Sequence, residues 1–436
     1  MEPGIREKLM VAREQAVLVA CLLPNHGNDP HDPLAELRAL ADTAGATVVD
    51  EVIQNRQRPD PATFMGSGKV QEVAQKVAGH GAKVVIFDND LSPSQIGNVE
   101  KVVGCKVLDR SELILDIFAA RAKAHEARLQ VELAQLEYTY PRLRAMWTHL
   151  ERIVGGTPVG IGTRGPGEQQ LELDRRLVQR KKSQLRRQIA HIQGRKRREV
   201  QTRNEDYFTV GVVGYTNAGK STLFNFLTEP SGGGGAYADD KLFATLSTRT
   251  RRWDMGGGDC VMLSDTVGFV RDLPHHLVAS FRATLEEAVN SDLLLVVLDV
   301  ADHRAEQQMQ TVIETLEGIG ASQQPRIVVL NKIDLLEHNA QVLLMQNKLA
   351  DALPISAGTG EGIEQLRCRV HEAMRGRMRV LRVEVDMSNG KLIQFLESRM
   401  QILERQYEGS TATYTLRIGD HQLERLRSMG GGYRIA

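Results

Sequence analysis

A glycine-containing loop between an apolar strand and a helix constrains this chain more than any other feature of its sequence. The loop has the spacing G-x-x-x-x-G-K-[ST] and consists of Gly214, Tyr215, Thr216, Asn217, Ala218, Gly219, Lys220 and Ser221. An apolar run over 208–213 precedes it, and a predicted helix over 223–227 follows it. This strand–loop–helix order favours a phosphate-binding loop over an ordinary glycine-containing turn.

The residue types in this loop suit a polyphosphate. Glycines let successive backbone N–H groups curl around an anion, and the amino terminus of the following helix adds partial positive charge. Lys220 would reach the β- and γ-phosphates, and the Ser221 hydroxyl would ligate Mg²⁺. Thr222 lies between Ser221 and the predicted helix. We therefore expect the loop and Thr222 to bind a nucleotide together with Mg²⁺.

A second motif predicts the base. Asn331-Lys332-Ile333-Asp334 follows the apolar run 326–330, which reads as a buried strand, and ligands bind at the carboxyl ends of such strands. The Asp334 carboxylate can accept from guanine N1–H and from the exocyclic amine, whereas adenine would leave a buried carboxylate unpaired. Sites of this kind discriminate by roughly 10⁴–10⁵. Ser356 and Ala357, in a later loop, would back the guanine, although a plain turn is the alternative there.

Two further motifs lie between these, in the order that a nucleotide switch requires. Asp265-Thr266-Val267-Gly268 follows the predicted strand 260–263. Asp265 would hold Mg²⁺ through water, and the Gly268 N–H would face the γ-phosphate. Phe243-Ala244-Thr245-Leu246 follows a glycine-rich stretch, and Thr245 would close on Mg²⁺ only when the γ-phosphate is present. Phe243 is a further candidate nucleotide-binding residue.

The residue after Gly268 departs from the best-known small GTPases. Many of them carry Gln there to orient the attacking water, whereas this chain has Phe269, which cannot form that hydrogen bond. We therefore expect slow intrinsic hydrolysis, and no residue is assigned as the general base. Asn217 is similar to the residue that helps to hold K⁺ in cation-dependent GTPases. The alternative is that Asn217 makes a local turn hydrogen bond.

Composition favours a cytoplasmic protein of several domains. The chain has 436 residues, and no apolar run approaches the ~18–20 residues that a membrane-spanning helix requires. The amino terminus lacks the apolar region of a signal peptide. The four cysteines, at 21, 105, 260 and 368, show neither metal-binding spacing nor a disulfide framework, which suits a reducing compartment. Zinc is not indicated.

The hydrophobic pattern predicts an α/β protein with four parts. Strand and helix signals alternate over 1–120, which we predict to be an N-terminal α/β domain. A long antiparallel helical hairpin is predicted over 121–205 and the G domain over 206–375. A small C-terminal α/β domain is predicted over 376–436, with a helix over 390–405 and a strand over 411–418.

In the N-terminal domain, Met65-Gly66-Ser67-Gly68-Lys69-Val70 resembles a second phosphate loop but lacks its first glycine and its final hydroxyl. We predict a turn into a helix there, with a contact to an anion.

Apolar residues at alternating spacings of four and three predict the hairpin. The first helix carries Leu129, Leu133, Leu136, Tyr140, Leu143, Trp147 and Leu150, and the second carries Val178, Leu185, Ile189 and Ile192. Pro141 should kink or split the first helix. The connection over 155–168 is rich in glycine, at a cost in conformational entropy that a mere connector does not require. A probe inserted into another structure is one interpretation of it, and a disordered link is the other.

Basic residues concentrate in the second hairpin helix although the formal net charge of the chain is zero. Our candidates for RNA contact are Arg164, Arg175, Arg176, Arg180, Lys181, Lys182, Arg186 and Arg187. Between residues 175 and 203 the sequence has one acidic residue, Glu199, to offset these positive charges. Such a cluster suits a phosphate backbone, and a solvated helix face is the alternative.

Together these stretches resemble the HflX family of translational GTPases, within the Obg-HflX superfamily of the TRAFAC class. The resemblance rests on 66–69, 129–136 and 165–168, and on the motifs that begin at Gly214, Leu242 and Asp265. It implies binding to the large ribosomal subunit, splitting of stalled ribosomes, and a hairpin loop that reaches towards the peptidyl transferase centre. Phe269 fits the family. Ser247-Thr248 stands where Asp-Pro is expected, so the switch geometry there is open.

We therefore expect a monomeric, ribosome-stimulated GTPase that uses Mg²⁺ and binds rRNA, with no DNA or membrane partner. Two other functions fit parts of the pattern. One is a GTPase in ribosome assembly or tRNA modification, which would share the G domain but act on other RNA. The second is an RNA-binding adaptor that senses guanine nucleotides and hydrolyses them only incidentally. The contacts of the C-terminal part are not predicted.

Overall fold

The structure is a computed structural model, and every structural statement below concerns the residues that it describes. These are 14–24, 31–138, 166–229, 243, 248–256, 259–271, 289–349, 351–419, 423, 426–427 and 433–435. The predictions for Pro141, Arg164, Thr245 and most of the glycine-rich connection lie outside them, as does the side chain of Arg175. The described residues form two compact units. The first runs to residue 193 and includes 243 and 267–271; the second holds the rest.

The first unit is built on four parallel strands in the order β2-β1-β3-β4. Its elements are β1 Gln15–Leu22, α1 Ala35–Ala44, β2 Thr47–Asn55, α2 Ser67–His80, β3 Val84–Phe87, α3 Pro93–Val103, β4 Lys106–Asp109 and α4 Arg110–Arg121. Ala16 and Leu18 of β1 face one buried core, whereas Val17 and Val19 face another. Successive side chains of a strand point to opposite faces, so a continuous apolar run marks a strand covered on both sides. The predicted α/β layers are confirmed here.

Local signals fix the helix starts in this unit. Ser92 caps α3 through a reciprocal capping box with Gln95, and Pro93 occupies the first helical turn, where it costs no hydrogen bond. Gly66 precedes α2, and its N–H donates to Gln54 Oε1 at 2.9 Å. The predicted turn into a helix near Gly66 is confirmed, and its contact with an anion stays a prediction.

Two helices follow the N-terminal sheet and pack on each other. A helix covers 125–138, where the described stretch ends, and α6 spans Pro166–Asp206; we label the first of them α5. Leu129 and Leu133 share one buried cluster with Leu185 and Ile189. The predicted pairing through this apolar stripe is therefore confirmed. Within the described parts of the chain, no helix is both long and apolar enough to cross a bilayer.

The second unit contains a six-stranded sheet in the order β10-β9-β8-β5-β7-β6, parallel except for β6. Its elements are β5 Phe208–Gly214, α7 Lys220–Thr228, β6 Arg249–Gly256, β7 Asp259–Asp265, β8 Leu293–Asp299, α8 Ala305–Gly318, β9 Arg326–Asn331, α9 Ala340–Lys348, β10 Leu353–Pro354 and α10 Ile363–Arg377. The chain builds one side of β5 with β6 and β7, and the other side with β8, β9 and β10. Ligands bind at such a switch point, and the loop after β5 lies there.

A third sheet has the strand order β12-β13-β11-β14 and is antiparallel throughout. Its elements are β11 Met378–Asp386, α11 Gly390–Arg399, β12 Gln401–Glu408, β13 Thr411–Gly419 and β14 Tyr433–Ile435. The fourth, first, third and second strands thus lie side by side, the order of a ferredoxin-like sheet.

The predicted helix over 390–405 is wrong in its second half. The helix ends at Arg399, and Met400 is extended, with φ −124° and ψ 149°. Residues 401–408 form β12 and pair along β13. Gln, Leu, Glu and Arg in this stretch favour a helix locally, but pairing with a neighbouring strand overrides a weak local propensity.

Candidate nucleotide-binding site

Two glycines of the phosphate loop are required by close approach of neighbouring groups. Gly214 has φ +151°, and a Cβ there would lie 2.2 Å from the carbonyl oxygen of Val297 in β8. Gly219 has φ +88°, and a Cβ there would lie 2.2 Å from Asn331 Nδ2. No side chain fits in either place, because the Val297 carbonyl belongs to β8, the strand beside β5, and the Asn331 amide is hydrogen-bonded to the loop itself. Close contacts with two different strands therefore require the two glycines of the motif.

Asn331 joins three predicted parts of the site. It ends β9 and is 1% exposed. Its Nδ2 donates to Ala218 O in the phosphate loop at 2.8 Å, and its Oδ1 accepts from the Ala357 backbone N–H at 2.9 Å. One side chain thus ties the phosphate loop to the loop predicted to back the base. The Asn-Lys-x-Asp motif predicted guanine recognition for Asn331, whereas in the structure its side chain bridges the two loops.

Lys220 is buried at the start of α7, where it points back into its own loop. Its Nζ donates to the carbonyl oxygen of Tyr215. Burial lowers the pKa of Lys220 to about 8, with lesser contributions from Asp265, which raises it, and Lys332, which lowers it. A buried cation of this kind gains most from an anionic ligand, because the ligand replaces the water that the ammonium has lost.

Two oxygen donors that were predicted to hold Mg²⁺ lie together. The Ser221 hydroxyl donates to Asp265 Oδ2 at 2.9 Å, and Asp265 is fully buried at the end of β7. Thr266 anchors the segment, since its Oγ1 donates to Val212 O in β5 at 2.7 Å. A hydroxyl and a carboxylate are hard oxygen donors of the kind that Mg²⁺ prefers. The residues present therefore fit Mg²⁺.

The guanine motif differs in one respect from the sequence argument. Asp334 lies in a single 3₁₀ turn, Ile333–Leu335, and is exposed. Selection of guanine requires a buried Asp334 carboxylate, so the bound base itself would have to cover that carboxylate. Lys332 precedes the 3₁₀ turn with φ +67°, and its Nζ pairs with Asp299 Oδ2 at 2.7 Å.

Asp299 is a residue that the sequence analysis missed. It is the last residue of β8, at the carboxyl edge of the sheet, and that position was the available signal. Asp299 holds the side chain of Lys332, the residue that follows Asn331 in the guanine motif.

Ser356, predicted to back the base, is fully buried, and its Oγ accepts from the Thr359 N–H at 3.0 Å.

The remaining site predictions divide between the two units. Asn217 is exposed with φ +62°, a conformation that suits a tight turn, and its role towards K⁺ stays a prediction. Gly268 and Phe243 belong to the first unit. Phe243 and Phe269 are each 3% exposed.

Some of the predicted RNA-binding cations are already paired within the chain. Lys181 Nζ lies 3.2 Å from Glu132, whereas Lys182 Nζ and Arg186 Nη2 lie 3.7 and 2.6 Å from Glu137. Both glutamates belong to α5, so the partner helix neutralises part of the basic cluster. Three other candidates are exposed on α6, namely Arg176, Arg180 and Arg187.

A phosphate loop at the switch point of a mostly parallel sheet, with Asn-Lys-x-Asp at a neighbouring strand end, defines a P-loop guanine-nucleotide-binding protein. Family models agree: "GTP-binding GTPase N-terminal" matches 31–119, "GTP-binding GTPase Middle Region" matches 121–204, and "50S ribosome-binding GTPase" matches 209–332. A GTPase HflX from Escherichia coli is 42% identical over 410 residues, which are 93% of each chain. Another from Lacrimispora saccharolytica is 40% identical over 398 residues, 91% of each chain. The chain belongs to the HflX family of GTPases.

A solved structure of a GTP-binding protein from the archaeon Sulfolobus solfataricus, in complex with GDP, is similar at 25% identity. The match covers 83% of this chain and 98% of that one, with a TM-score of 0.43. Independently of that structure, the relatives at about 40% identity confirm the resemblance seen in the sequence, and the protein is a GTP-hydrolysing enzyme.

Proposed function

We propose that this GTPase binds the large ribosomal subunit in its GTP-bound state and separates the subunits of stalled or idle ribosomes. Membership of the HflX family carries the proposal, and the family model that matches 209–332, described as a 50S ribosome-binding GTPase, supports it. The geometry adds a complete phosphate loop linked to a basic helix, α6, that leads directly into β5. The expected location is the cytoplasm, and the expected oligomeric state is a monomer.

In this proposal the site binds GTP through groups that the fold has already positioned. The Lys220 ammonium and the loop N–H groups hold the phosphates, and Asn331 keeps the phosphate loop in register with the base-binding loop. Ser221, Asp265 and Thr245 would hold Mg²⁺, which neutralises charge that builds up on the transferred phosphoryl group. Asp334 would select guanine, with Ser356 and Ala357 behind the base.

Hydrolysis in this site lacks the usual side chain that orients water. Phe269 is apolar and buried, so the group that completes the site would come from elsewhere. The ribosome is the proposed source, and a K⁺ ion held beside Asn217 is a second contribution that we propose. Slow turnover by the isolated protein and faster turnover on large subunits is the expected pattern.

The γ-phosphate would act on two short segments. Thr245 and Gly268 would be drawn towards Mg²⁺ and the γ-phosphate, in the manner of other GTPase switches. The second hairpin helix would convert this change into affinity for rRNA, because lysine and arginine displace counterions from phosphates. The predicted domains over 1–120, 121–205, 206–375 and 376–436 serve as the working division for this proposal.

Sedimentation of intact ribosomes tests the splitting activity. With this protein and a non-hydrolysable GTP analogue, free subunits should appear; with GDP, intact ribosomes should persist. The Lys220→Ala variant, which should lose nucleotide binding, serves as the control and should leave ribosomes intact with either nucleotide. If large subunits bind but no splitting occurs, a role in subunit assembly is favoured over the one proposed.

A charge test addresses the RNA contact. Replacing the exposed Arg180 and Arg187 by glutamine removes two positive charges from α6. The slope of log K against log salt for large-subunit binding should then fall by about two. Arg326 and Lys348, on the surface of the second unit, offer a matched control with the same change in net charge. An unchanged slope for the α6 variant would favour the solvated-face interpretation.

A further inference from the structure

The segment that follows Asp265 packs against the N-terminal sheet. Residues 267–271 belong to the same compact unit as that sheet. Val267 and Val270 are 6% and 2% exposed, and they lie in the buried core that also contains Leu113 and Phe118 of α4. The next residue, Arg271, reaches Asp88, which follows β3, and Glu36, in the first turn of α1. The backbone around Gly268 is therefore held on its carboxyl side by both apolar and charged contacts.

Two arginines share two carboxylates at this point. Arg271 Nη2 lies 2.9 Å from Asp88 Oδ2, and Arg271 Nε lies 3.7 Å from Glu36 Oε2. Arg110 contacts the same acids, at 2.6 Å from Asp88 and 3.0 Å from Glu36. Arg110 Nη2 also donates to the carbonyl oxygen of Arg271 at 3.2 Å. The charges balance within the group, and loss of one partner would leave a charge buried without compensation.

The position of this cluster in the sheet is informative. Asp88 follows β3, Arg110 follows β4, and Glu36 lies in the first turn of α1. The carboxyl ends of parallel strands are where open α/β sheets bind their ligands. At this edge of the N-terminal sheet, the Arg271 side chain lies against Asp88 together with Arg110. The carboxyl edge of the sheet thus holds the segment after Gly268.

The other switch motif contacts the same unit. The rings of Phe243 and Phe118 meet edge to face, with centroids 4.6 Å apart and an interplanar angle of 75°. Arg121 Nη1 also donates to the carbonyl oxygen of Phe243 at 3.4 Å. Phe243 is two residues from Thr245, and Arg271 is three residues from Gly268. Each segment predicted to respond to the γ-phosphate is therefore held by the first unit at a residue close in sequence to the one that would move, Thr245 or Gly268.

We propose that Arg271 is a positioning residue through which the N-terminal sheet distinguishes GTP from GDP. Docked on Asp88 and Glu36, it holds 267–271 in an arrangement that GDP tolerates, whereas a γ-phosphate that draws in Gly268 pulls against this contact. Three residues span at most about 11 Å, and Val270 between them is itself buried, so a shift at Gly268 reaches Arg271. The inference rests on the proposed role of Gly268 and extends it to a partner surface within the chain.

The affinities of the full chain for GDP and for a non-hydrolysable GTP analogue test this role. The Arg271→Gln variant should raise the ratio of analogue affinity to GDP affinity by about fivefold or more, the lower end of typical coupling between sites. Arg271→Lys keeps the charge but loses the two-pronged contact, and its ratio should be intermediate. Arg38→Gln is the matched control, because Arg38 pairs with Asp32 and Glu51 on the same unit at a 43% exposed position. An unchanged or lowered ratio in Arg271→Gln would overturn the proposal.

Hydrogen exchange provides a readout that a merely structural role would not change. In the unaltered chain, peptides that cover 88–91 and 110–118 should exchange at rates that differ between the two nucleotides. In Arg271→Gln that difference should vanish, even though both nucleotides bind. Equal exchange with both nucleotides in the unaltered chain would refute the inference while leaving the GTPase site intact. Failure of the unaltered chain to bind either nucleotide would refute the site itself and the inference with it.

Discussion

Replacement of Asn331 by alanine is the sharpest test of how the nucleotide site is held together. The side chain bridges Ala218 O and the Ala357 N–H at 2.8 and 2.9 Å, and Asn331 and Ala357 are 1% and 4% exposed. The variant loses both hydrogen bonds and leaves a buried donor and acceptor without partners. Each such group costs about 1–3 kcal/mol, so loss of the bridge should cost roughly 2–6 kcal/mol. Because the bridge joins two loops, its loss should also loosen the phosphate loop.

Native-state hydrogen exchange at the Ala357 amide measures this directly. Exchange there should accelerate by at least about 30-fold, which corresponds to the lower bound of 2 kcal/mol. The dissociation constant for GDP, measured by fluorescence titration, should rise in parallel. Asn339→Ala is the matched control, since the Asn339 side chain makes no capping hydrogen bond at the start of α9. If the Ala357 amide exchanged as slowly as before and GDP bound equally well, the bridge would have no energetic role.

Four further outcomes are expected. Since the pKa of Lys220 is lowered from 10.5 to about 8 and a bound phosphate should raise it, GDP binding should take up a proton above pH 8. The dissociation constant should then rise with pH by up to tenfold per unit, and a constant value to pH 10 would contradict the assignment. The unfolded state binds more protons between pH 8 and 10.5, so the contribution of Lys220 to stability rises with pH in that window, as chemical denaturation should show. Asp334→Asn should shift preference towards xanthine nucleotides in competition binding, and unchanged selectivity for GTP would refute its role. Gly219→Ala should abolish nucleotide binding because its Cβ meets Asn331 Nδ2 at 2.2 Å; near-normal binding would show that the loop relaxes freely.

Local patterns were sufficient where the chemistry is local. The phosphate loop and the Asn-Lys-x-Asp motif each follow a strand that the apolar run already marks, and the sheet brings them together at its carboxyl edge. The heptad spacing of Leu129 and Leu133 likewise predicted a helix pair, because both helices bury one apolar stripe. In each case the residues that define the motif or the helix lie close together in the sequence.

Long-range pairing is what the sequence did not disclose. Strand β12 carries helix-forming residues and becomes a strand only because β13 lies beside it. Glu132 and Glu137 neutralise part of the basic cluster from another helix, so counting acids within the cluster overstated its charge. Arg271 contacts Asp88, which is 183 positions away in the sequence, and no rule of residue spacing predicts such a contact.

Nucleotide control of ribosome binding can be measured as the dissociation constant for the large ribosomal subunit, with GDP and with a non-hydrolysable GTP analogue at one fixed salt concentration. We expect binding at least about tenfold tighter with the analogue, within the usual range of coupling between two sites. Equal affinity with both nucleotides would show that the γ-phosphate has no influence on the affinity of the protein for rRNA.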